Sequence, residues 1–243
     1  MTIAIDLPVP TRALAVGAHP DDIEFGAGAT LSKWAAHGCA LLHVVCTDGS
    51  KGSWDPDADL ARLVAVRQDE QRAASIALGG TGDVEFLGWP DGELDSATAL
   101  RAPLVAAIRR FRPDVVLGHD PWKRYRLHPD HRHAGFLTID AIVAARDPHF
   151  FPELGLAHHR PRAVLLFEAD EPDHVERVDG FAERKIDALF AHRSQLLSTM
   201  AIDDPTSAEQ IGAFRERILA ELVAQGGLAG VTQGEAFKAI TDV

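Results

Sequence analysis

Residues 13 to 31 read Ala-Leu-Ala-Val-Gly-Ala-His-Pro-Asp-Asp-Ile-Glu-Phe-Gly-Ala-Gly-Ala-Thr-Leu, and this segment contains both a strand signal and a helix signal. Ala13 to Val16 is a short apolar run that Gly17 ends, as is typical of a strand buried on both faces. The residues from Gly28 to His37 then have helical spacing of apolar side chains. His19 to Asp22 is therefore predicted to lie on the turn between the strand and the helix.

This turn combines one imidazole with two carboxylates. In open parallel sheets, ligands bind at the carboxyl ends of the strands, so the position suits metal chemistry. The alternative is structural: an Asx-type turn followed by acidic residues that begin a helix would have a similar sequence.

The composition limits the classes of function. The chain has 243 residues and a formal charge of −12, and no Pro/Gly/Ser-rich linker divides it. We therefore expect one domain over residues 1–243, with a core at 13–195 and a helical C-terminal region at 196–243. The acidic balance argues against nucleic-acid binding and stable membrane association, which need basic surface, and favours a small-molecule ligand.

The cellular setting is predicted from short signals. The first dozen residues lack the basic start and apolar core of a signal peptide, and no apolar run is long enough to span a membrane. Only two cysteines are present, Cys39 and Cys46, without a paired motif. A reducing, cytoplasmic location is expected, while the oligomeric state stays open.

Strand and helix signals alternate along the chain. Apolar runs predict strands at 13–16, 40–46, 84–87, 114–117 and 163–167, and helical spacing is found at 28–37, 59–78, 97–111, 129–145, 181–195 and 209–225. This alternation predicts an α/β, Rossmann-like three-layer fold with a mostly parallel sheet of about five strands and helices on both faces.

A second polar cluster follows the fourth predicted strand, from Gly118 to His133, and includes the sequence His128-Pro129-Asp130-His131. The first and fourth strands of a doubly wound sheet are commonly neighbours, so this cluster should face the turn at His19 to Asp22. Two imidazoles and one carboxylate, with a fourth position open to water, form the ligand set of a catalytic zinc site.

The two adjacent carboxylates could divide the work. Zinc lowers the pKa of its bound water to about 7, and a neighbouring carboxylate can accept the proton as that water attacks a carbonyl. One of Asp21 and Asp22 would then bind the metal while the other faces the water. The residues alone do not decide which.

The coupled patterns Ala18-His-Pro-Asp-Asp-x-Glu24 and His128-Pro-Asp-His131 resemble those of the zinc-dependent de-N-acetylases of the PIG-L/LmbE type. The similarity runs from about residue 13 to residue 195. Smaller shared motifs lie at 47–49, 67–70, 78–79, 86–88, 112–114 and 185–195.

The resemblance implies a role for each matching residue. It places the metal ligands at His19, Asp22 and His131 and the general base at Asp21. His128 would stabilise the oxyanion or protonate the leaving amine, with Asp130 orienting it. The sugar would be held by Arg67 and Asp91. The implied cofactor is a single Zn²⁺ per chain, or another divalent transition metal.

The approach to the second motif departs from the family pattern. Many members have a small, glycine-rich segment there, whereas this chain has Trp122-Lys-Arg-Tyr-Arg-Leu127. Some members use a tyrosine close before the histidine, and Tyr125 stands three positions ahead of His128. The cations Lys123, Arg124 and Arg126 could meet an anionic substrate, or they could balance nearby acidic residues.

The leading hypothesis is a metal-dependent amidohydrolase that removes an acyl group, acetyl above all, from the nitrogen of an amino sugar such as N-acetylglucosamine or its conjugate. One alternative is an amidase of a thiol-sugar conjugate. Another is a non-catalytic carbohydrate- or metal-binding protein, which would not need the second carboxylate at Asp21. Dinucleotide binding is disfavoured because Gly26-Ala-Gly-Ala lacks the third glycine of that motif.

Overall fold

The structure, a computed structural model, describes residues 3–243. The expected alternation is present. The helices are α1 (Asp22–Ala36), α2 (Leu60–Ala77), α3 (Thr98–Phe111), α4 (Pro129–Arg146), α5 (Ala182–Ala191) and α6 (Ala208–Gly227). The strands are β1 (Ala4–Ile5), β2 (Arg12–Gly17), β3 (Ala40–Thr47), β4 (Val84–Trp89), β5 (Val115–His119), β6 (Ala163–Phe167), β7 (His174–Arg177) and β8 (Gly234–Ile240).

The strands form one sheet in the order β1-β7-β8-β6-β5-β2-β3-β4. The expected fold class is confirmed, but the strand number of about five is too low, because the sheet has eight strands. The sheet is also mixed, since β8 runs antiparallel to both β6 and β7.

One of the missed strands, β7, lacks a local apolar signal. β7 contains His174, Glu176 and Arg177, whose polarity hides a strand that tertiary contacts nevertheless bury. Nε2 of His174 lies 2.8 Å from Oε1 of Glu176, and Lys33 pairs with the other carboxylate oxygen, so burial leaves these groups partnered. The region 196–243, expected to be helical, contains α6 and also the strand β8.

The central strand β2 separates two parts of the hydrophobic core. Leu14 and Val16 pack on one face of the sheet, and Ala13 and Ala15 pack on the other. All four side chains are buried, which explains why the run reads as continuously apolar rather than alternating.

Strand β2 also lies at the point where the strand order reverses. It pairs in parallel with β3 on one side and with β5 on the other, with Ala13 opposite Val115 and Ala15 opposite Leu117. The turns after β2 and β5 are therefore neighbours at the carboxyl edge of the sheet, the position where open α/β folds bind ligands.

Helix α1 is irregular in its second turn. Ala27 has φ −149° and ψ 16°, outside the helical region. The neighbouring Gly26 packs on Phe167, and a Cβ atom there would lie 2.5 Å from the ring, so only glycine fits.

A buried ion pair compensates for the break in α1. Nζ of Lys185 donates to the carbonyl of Phe25 and to Oε1 of Glu235, each at 2.7 Å. The Glu235 carboxylate accepts from the backbone N–H groups of Ala29 and Thr30, at 3.1 and 2.7 Å. The groups freed by the kink are thus satisfied, as burial requires. Within the described residues, no helix has the length and apolarity needed to cross a bilayer.

Candidate active site

A cavity of about 300 Å³ opens at the carboxyl edge between the turns after β2 and β5. It is lined by His19, Asp21, Asp22, Lys51, Gly52, Arg67, Asp91, Gly92, His128, His131 and Thr199. The structure therefore brings both predicted motifs into one cavity, although more than a hundred residues separate them in the chain.

The three predicted metal ligands converge in this cavity. Nδ1 of His19 lies 3.4 Å from Oδ2 of Asp22, and Nε2 of His131 lies 3.2 Å from Oδ1 of Asp22. The two imidazoles approach to 3.3 Å between His19 Nδ1 and His131 Nε2. Donors around a tetrahedral zinc ion with metal–ligand distances of about 2.0–2.1 Å stand about 3.3 Å apart, so the spacing fits such an ion.

The charges of the group also suit a cation. Burial alone raises the pKa of Asp22, but His131 and His119 outweigh it and hold the pKa well below the ordinary value. Asp22 is thus an anion facing the two imidazoles. Its Oδ2 also accepts from the backbone N–H of His19 at 2.7 Å, which fixes the carboxylate.

The other ring nitrogen of His19 faces two carboxylates. Nε2 lies 3.1 Å from Oδ2 of Asp130 and 3.2 Å from Oδ1 of Asp91. A carboxylate can only accept, so Nε2 donates to Asp130 and Asp91, and Nδ1 is the ring nitrogen that could bind a metal ion beside Asp22 and His131. Carboxylates that orient a histidine in this way are the usual outer partners of metal ligands.

The contact between Asp130 and His19 differs from the expected role of Asp130, which was to orient His128. Asp130 is fully buried, and its carboxylate also accepts from the backbone N–H groups of Gly92 and Leu94, at 2.6 and 3.2 Å. Among residues 3–243, it makes no hydrogen bond with His128. The structure pairs Asp130 with His19, because the first turn of α4 directs its side chain toward the β2 turn.

Asp22 has a further partner that the sequence reasoning missed. Nε2 of His119 lies 3.2 Å from Oδ2 of Asp22, and Nδ1 lies 3.2 Å from Oε2 of Glu168. His119 also stacks on His131, with ring centroids 4.4 Å apart. Its place at the end of β5, on the same edge as His19, was a usable signal. Glu168 follows the parallel strand β6 on the same edge, but it begins an acidic, loop-like stretch at 168–173 that does not single it out.

Asp21 stands beside the metal-ligand group in a strained conformation. Its φ is 107°, in the left-handed region that costs a non-glycine residue about 1–3 kcal/mol. The carboxylate lies 3.5 Å from Nη2 of Arg67. Burial raises its pKa to about 6, Arg67 opposes the shift, and Asp22 adds to it.

His128 lies on the opposite wall and is exposed. Its ring centroid is 4.6 Å from that of His19 and 4.8 Å from that of His131. Burial of part of the ring and the neighbouring His19 and His131 lower its pKa. Within residues 3–243, the ring makes no hydrogen bond, so it is available to a ligand in the cavity.

The two residues expected to hold a sugar both line the cavity. Oδ2 of Asp91 accepts from the backbone N–H of Lys51 at 3.0 Å, which leaves Oδ1 beside His19. The guanidinium of Arg67 is buried and donates to the carbonyls of Gly49 and Pro20, at 2.8 and 2.6 Å. Arg67 therefore supports the wall as well as lining it.

In the loop before the second motif, two of the cations form ion pairs with acidic residues of the protein. Nε of Arg124 pairs with Asp170 at 3.3 Å. Nη1 of Arg126 donates to Glu168 at 2.5 Å and lies 2.9 Å from Nδ1 of His131. For these two arginines, the structure favours charge balance within the protein. The Tyr125 side chain is 95% exposed and does not line the cavity.

The sequence matches the family described as PIG-L, GlcNAc-PI de-N-acetylase, over residues 14–142. The chain is 35% identical to the diacetylchitobiose deacetylase of Thermococcus kodakarensis over 187 residues, which cover 76% of this chain and 70% of that protein. It is 38% identical over 175 residues to the 1D-myo-inositol 2-acetamido-2-deoxy-alpha-D-glucopyranoside deacetylase of Streptomyces avermitilis. That match covers 62% of this chain and 58% of the relative.

The architecture is similar to that of a solved deacetylase. The N,N'-diacetylchitobiose deacetylase from Pyrococcus horikoshii superposes with a TM-score of 0.84 at 27% identity, covering 96% of this chain and 84% of the other. These relatives are deacetylases of sugars that contain N-acetylglucosamine, which agrees with the expected reaction class. The family match, the sequence identity and the shared fold confirm that the chain belongs to the PIG-L family of de-N-acetylases.

Proposed function

We propose that this protein is a zinc-dependent amidohydrolase that removes the N-acetyl group from an N-acetylglucosamine-type sugar or its conjugate. The observation that carries the proposal is the convergence of His19, Asp22 and His131 beside the separate carboxylate of Asp21 in one open cavity. A protein that only bound metal would not need that second, strained carboxylate.

His19, Asp22 and His131 would hold the zinc ion or another divalent transition metal. When bound, zinc supplies Lewis-acid chemistry, lowering the pKa of water and polarising a carbonyl. For His131 to offer Nε2, its Nδ1 must carry the ring proton, and a guanidinium cannot accept it. Arg126 must therefore move off Nδ1 in the loaded protein, and its partner Glu168 can hold it.

Asp21 is the general base of this proposal. Its carboxylate lines the cavity but is not among the three converging donors, so it can accept the proton of the attacking water. Arg67 keeps the carboxylate in place from the side of α2. Such a base typically contributes about 10² to 10⁴-fold to the rate.

His128 acts on the other side of the scissile amide. Its free, exposed ring can donate to the oxyanion or to the leaving amine. Asp130 does not contact the reacting atoms. It holds His19 in the tautomer that a metal ligand needs.

The substrate is a small molecule. A cavity of about 300 Å³ with carboxylate, guanidinium and ammonium groups on its walls can hold a sugar through its hydroxyls. Arg67 and Asp91 are the proposed sugar contacts. The named substrates of the relatives, diacetylchitobiose and an inositol-linked 2-acetamido sugar, share the N-acetyl amine proposed here.

We further propose one domain over residues 1–243 in the cytoplasm, without nucleic-acid or stable membrane partners. The two described cysteines are buried and unpaired, which suits a reducing compartment. Homo-oligomerisation would not conflict with any of these assignments.

The test is acetate release. The purified protein, stripped with a chelator and reloaded with zinc, is incubated with N-acetylglucosamine and with N,N'-diacetylchitobiose, and acetate and free amine are measured. We expect both products in equal amounts from at least one amide, and none from the stripped protein or from Asp21→Asn. Sugar binding without acetate from either amide would instead support a non-catalytic protein.

A further inference from the structure

The peptide bond between Pro20 and Asp21 is held at both of its polar groups by one helix. Nη2 of Arg67 donates to the Pro20 carbonyl at 2.6 Å, and the Asp21 N–H donates to Oε1 of Gln71 at 3.0 Å. Arg67 and Gln71 are four residues apart on α2, so they lie on the same face. Together these two hydrogen bonds hold the peptide group that orients the Asp21 carboxylate.

Asp21 needs such support. It precedes the first residue of α1 with φ 107°, and its side chain makes no capping hydrogen bond. A strained conformation of a non-glycine residue persists only where its surroundings over-determine it. Without the hydrogen bonds to Arg67 and Gln71, the backbone would relax and the carboxylate would turn with it.

The side chain of Gln71 is itself held in place by a hydrogen bond to Glu24. Its Nε2 donates to Oε1 of Glu24 at 2.8 Å, and Oε2 of Glu24 lies 3.3 Å from Nε2 of His192. Gln71, Glu24 and His192 are all fully buried. The amide of Gln71 therefore has a single orientation, with its oxygen toward Asp21 and its nitrogen toward Glu24.

We infer that Gln71 is a positioning residue for the catalytic carboxylate of Asp21, acting through the Pro20–Asp21 peptide. This inference rests on the proposed role of Asp21 as general base. Gln71 is absent from the cavity wall and makes no hydrogen bond to His19, Asp22 or His131 within residues 3–243. Its loss should therefore change the rate without changing sugar binding or metal binding.

The test replaces Gln71 by methionine, which keeps the length and removes every hydrogen bond of the amide, those with Asp21, Glu24 and His43. A displacement of a reacting group by about 1 Å can cost about 10²-fold, so kcat for acetate release should fall by about 10-fold to 100-fold. We expect KM and the zinc Kd, measured by chelator competition, to stay within about twofold of wild type.

The matched control is Ser75→Ala on the same helix face. Ser75 is also fully buried one turn further along α2, and its hydroxyl has no hydrogen-bond partner among the described residues. This variant should keep wild-type kcat. If Gln71→Met does not fold, Gln71→Asn serves instead, because it keeps the amide but is one methylene too short to reach both Asp21 and Glu24.

Amide hydrogen exchange of the peptide covering residues 17–25 gives a readout without turnover. Exchange should be faster in the Gln71 variant than in wild type and Ser75→Ala. Unchanged exchange, unchanged kcat, or a rate loss matched by loss of zinc would overturn the inference. If wild-type protein releases no acetate, the proposed function fails, while exchange still decides whether Gln71 holds the Asp21 backbone.

Discussion

The two motifs at the cavity begin with the same three residues, His-Pro-Asp, and place them differently. In the segment 19–22, helix α1 starts at the fourth residue, so the third, Asp21, stays outside it in a left-handed conformation. In the segment 128–131, helix α4 starts at the second residue, Pro129, so the third, Asp130, lies in the first helical turn.

Both aspartates at the third position are buried, but this shift of the helix start changes what each side chain faces. Asp21 faces the cavity, while Asp130 is fully buried against His19 and two backbone N–H groups. The first histidine is oriented by carboxylates, whereas His128 is exposed and free. Only the fourth positions, Asp22 and His131, play similar parts, because both face the proposed metal position. Identical local sequence thus yields different roles.

The largest effect should follow from removing the fourth residue of either motif. Asp22→Ala and His131→Ala each delete one of three converging donors, so zinc content should fall from a single ion per chain to near none. Elemental analysis measures it. His133→Ala, two residues further along α4, is the control and should keep its zinc. Full zinc content in either ligand variant would remove that residue from the metal site.

The third residue of the first motif should affect the rate but not the metal. Asp21→Asn cannot accept a proton, so acetate release should fall by about 10² to 10⁴-fold, the usual contribution of a positioned base. Zinc content should stay at the wild-type level. Loss of zinc in this variant would mean that Asp21 and Asp22 have exchanged roles.

The first residue of the second motif should matter only in the transition state. His128→Ala should lower kcat by about 10² to 10³-fold, the loss typical of one oxyanion donor, and change KM little. Steady-state kinetics and elemental analysis together check this. Near-wild-type turnover, or complete loss of zinc, would exclude His128 from the mechanism.

The smallest expected effect concerns Asp130, the third residue of the second motif, compared with Asp21 in the first. Asp130→Asn weakens the contact that orients His19, so zinc affinity should fall by about 10-fold to 100-fold, as for other outer partners of metal ligands. Chelator competition measures the zinc Kd, with Asp21→Asn as the matched control at the equivalent position. Equal zinc Kd values for the two variants would contradict the asymmetry between the motifs.

The sequence by itself determined the alternation of strands and helices, the family and the meeting of the two motifs. These follow from short-range signals: the apolar run at β2, the helical spacing of α2 and the repeated His-Pro-Asp pattern. Parallel strands that are connected by helices have their carboxyl ends at the same edge of the sheet. His19 and His131 could therefore be placed close together from the sequence alone.

Tertiary structure alone decided the strands β1, β7 and β8 and the partners of the buried polar groups. β7 is polar in sequence because its burial is compensated by ion pairs from distant elements. Asp130 contacts His19 across 111 residues, and Gln71 contacts Asp21 across 50. A hydrogen bond depends on distances of about 3 Å and on direction, and these are set by packing of the whole chain rather than by local residue pattern.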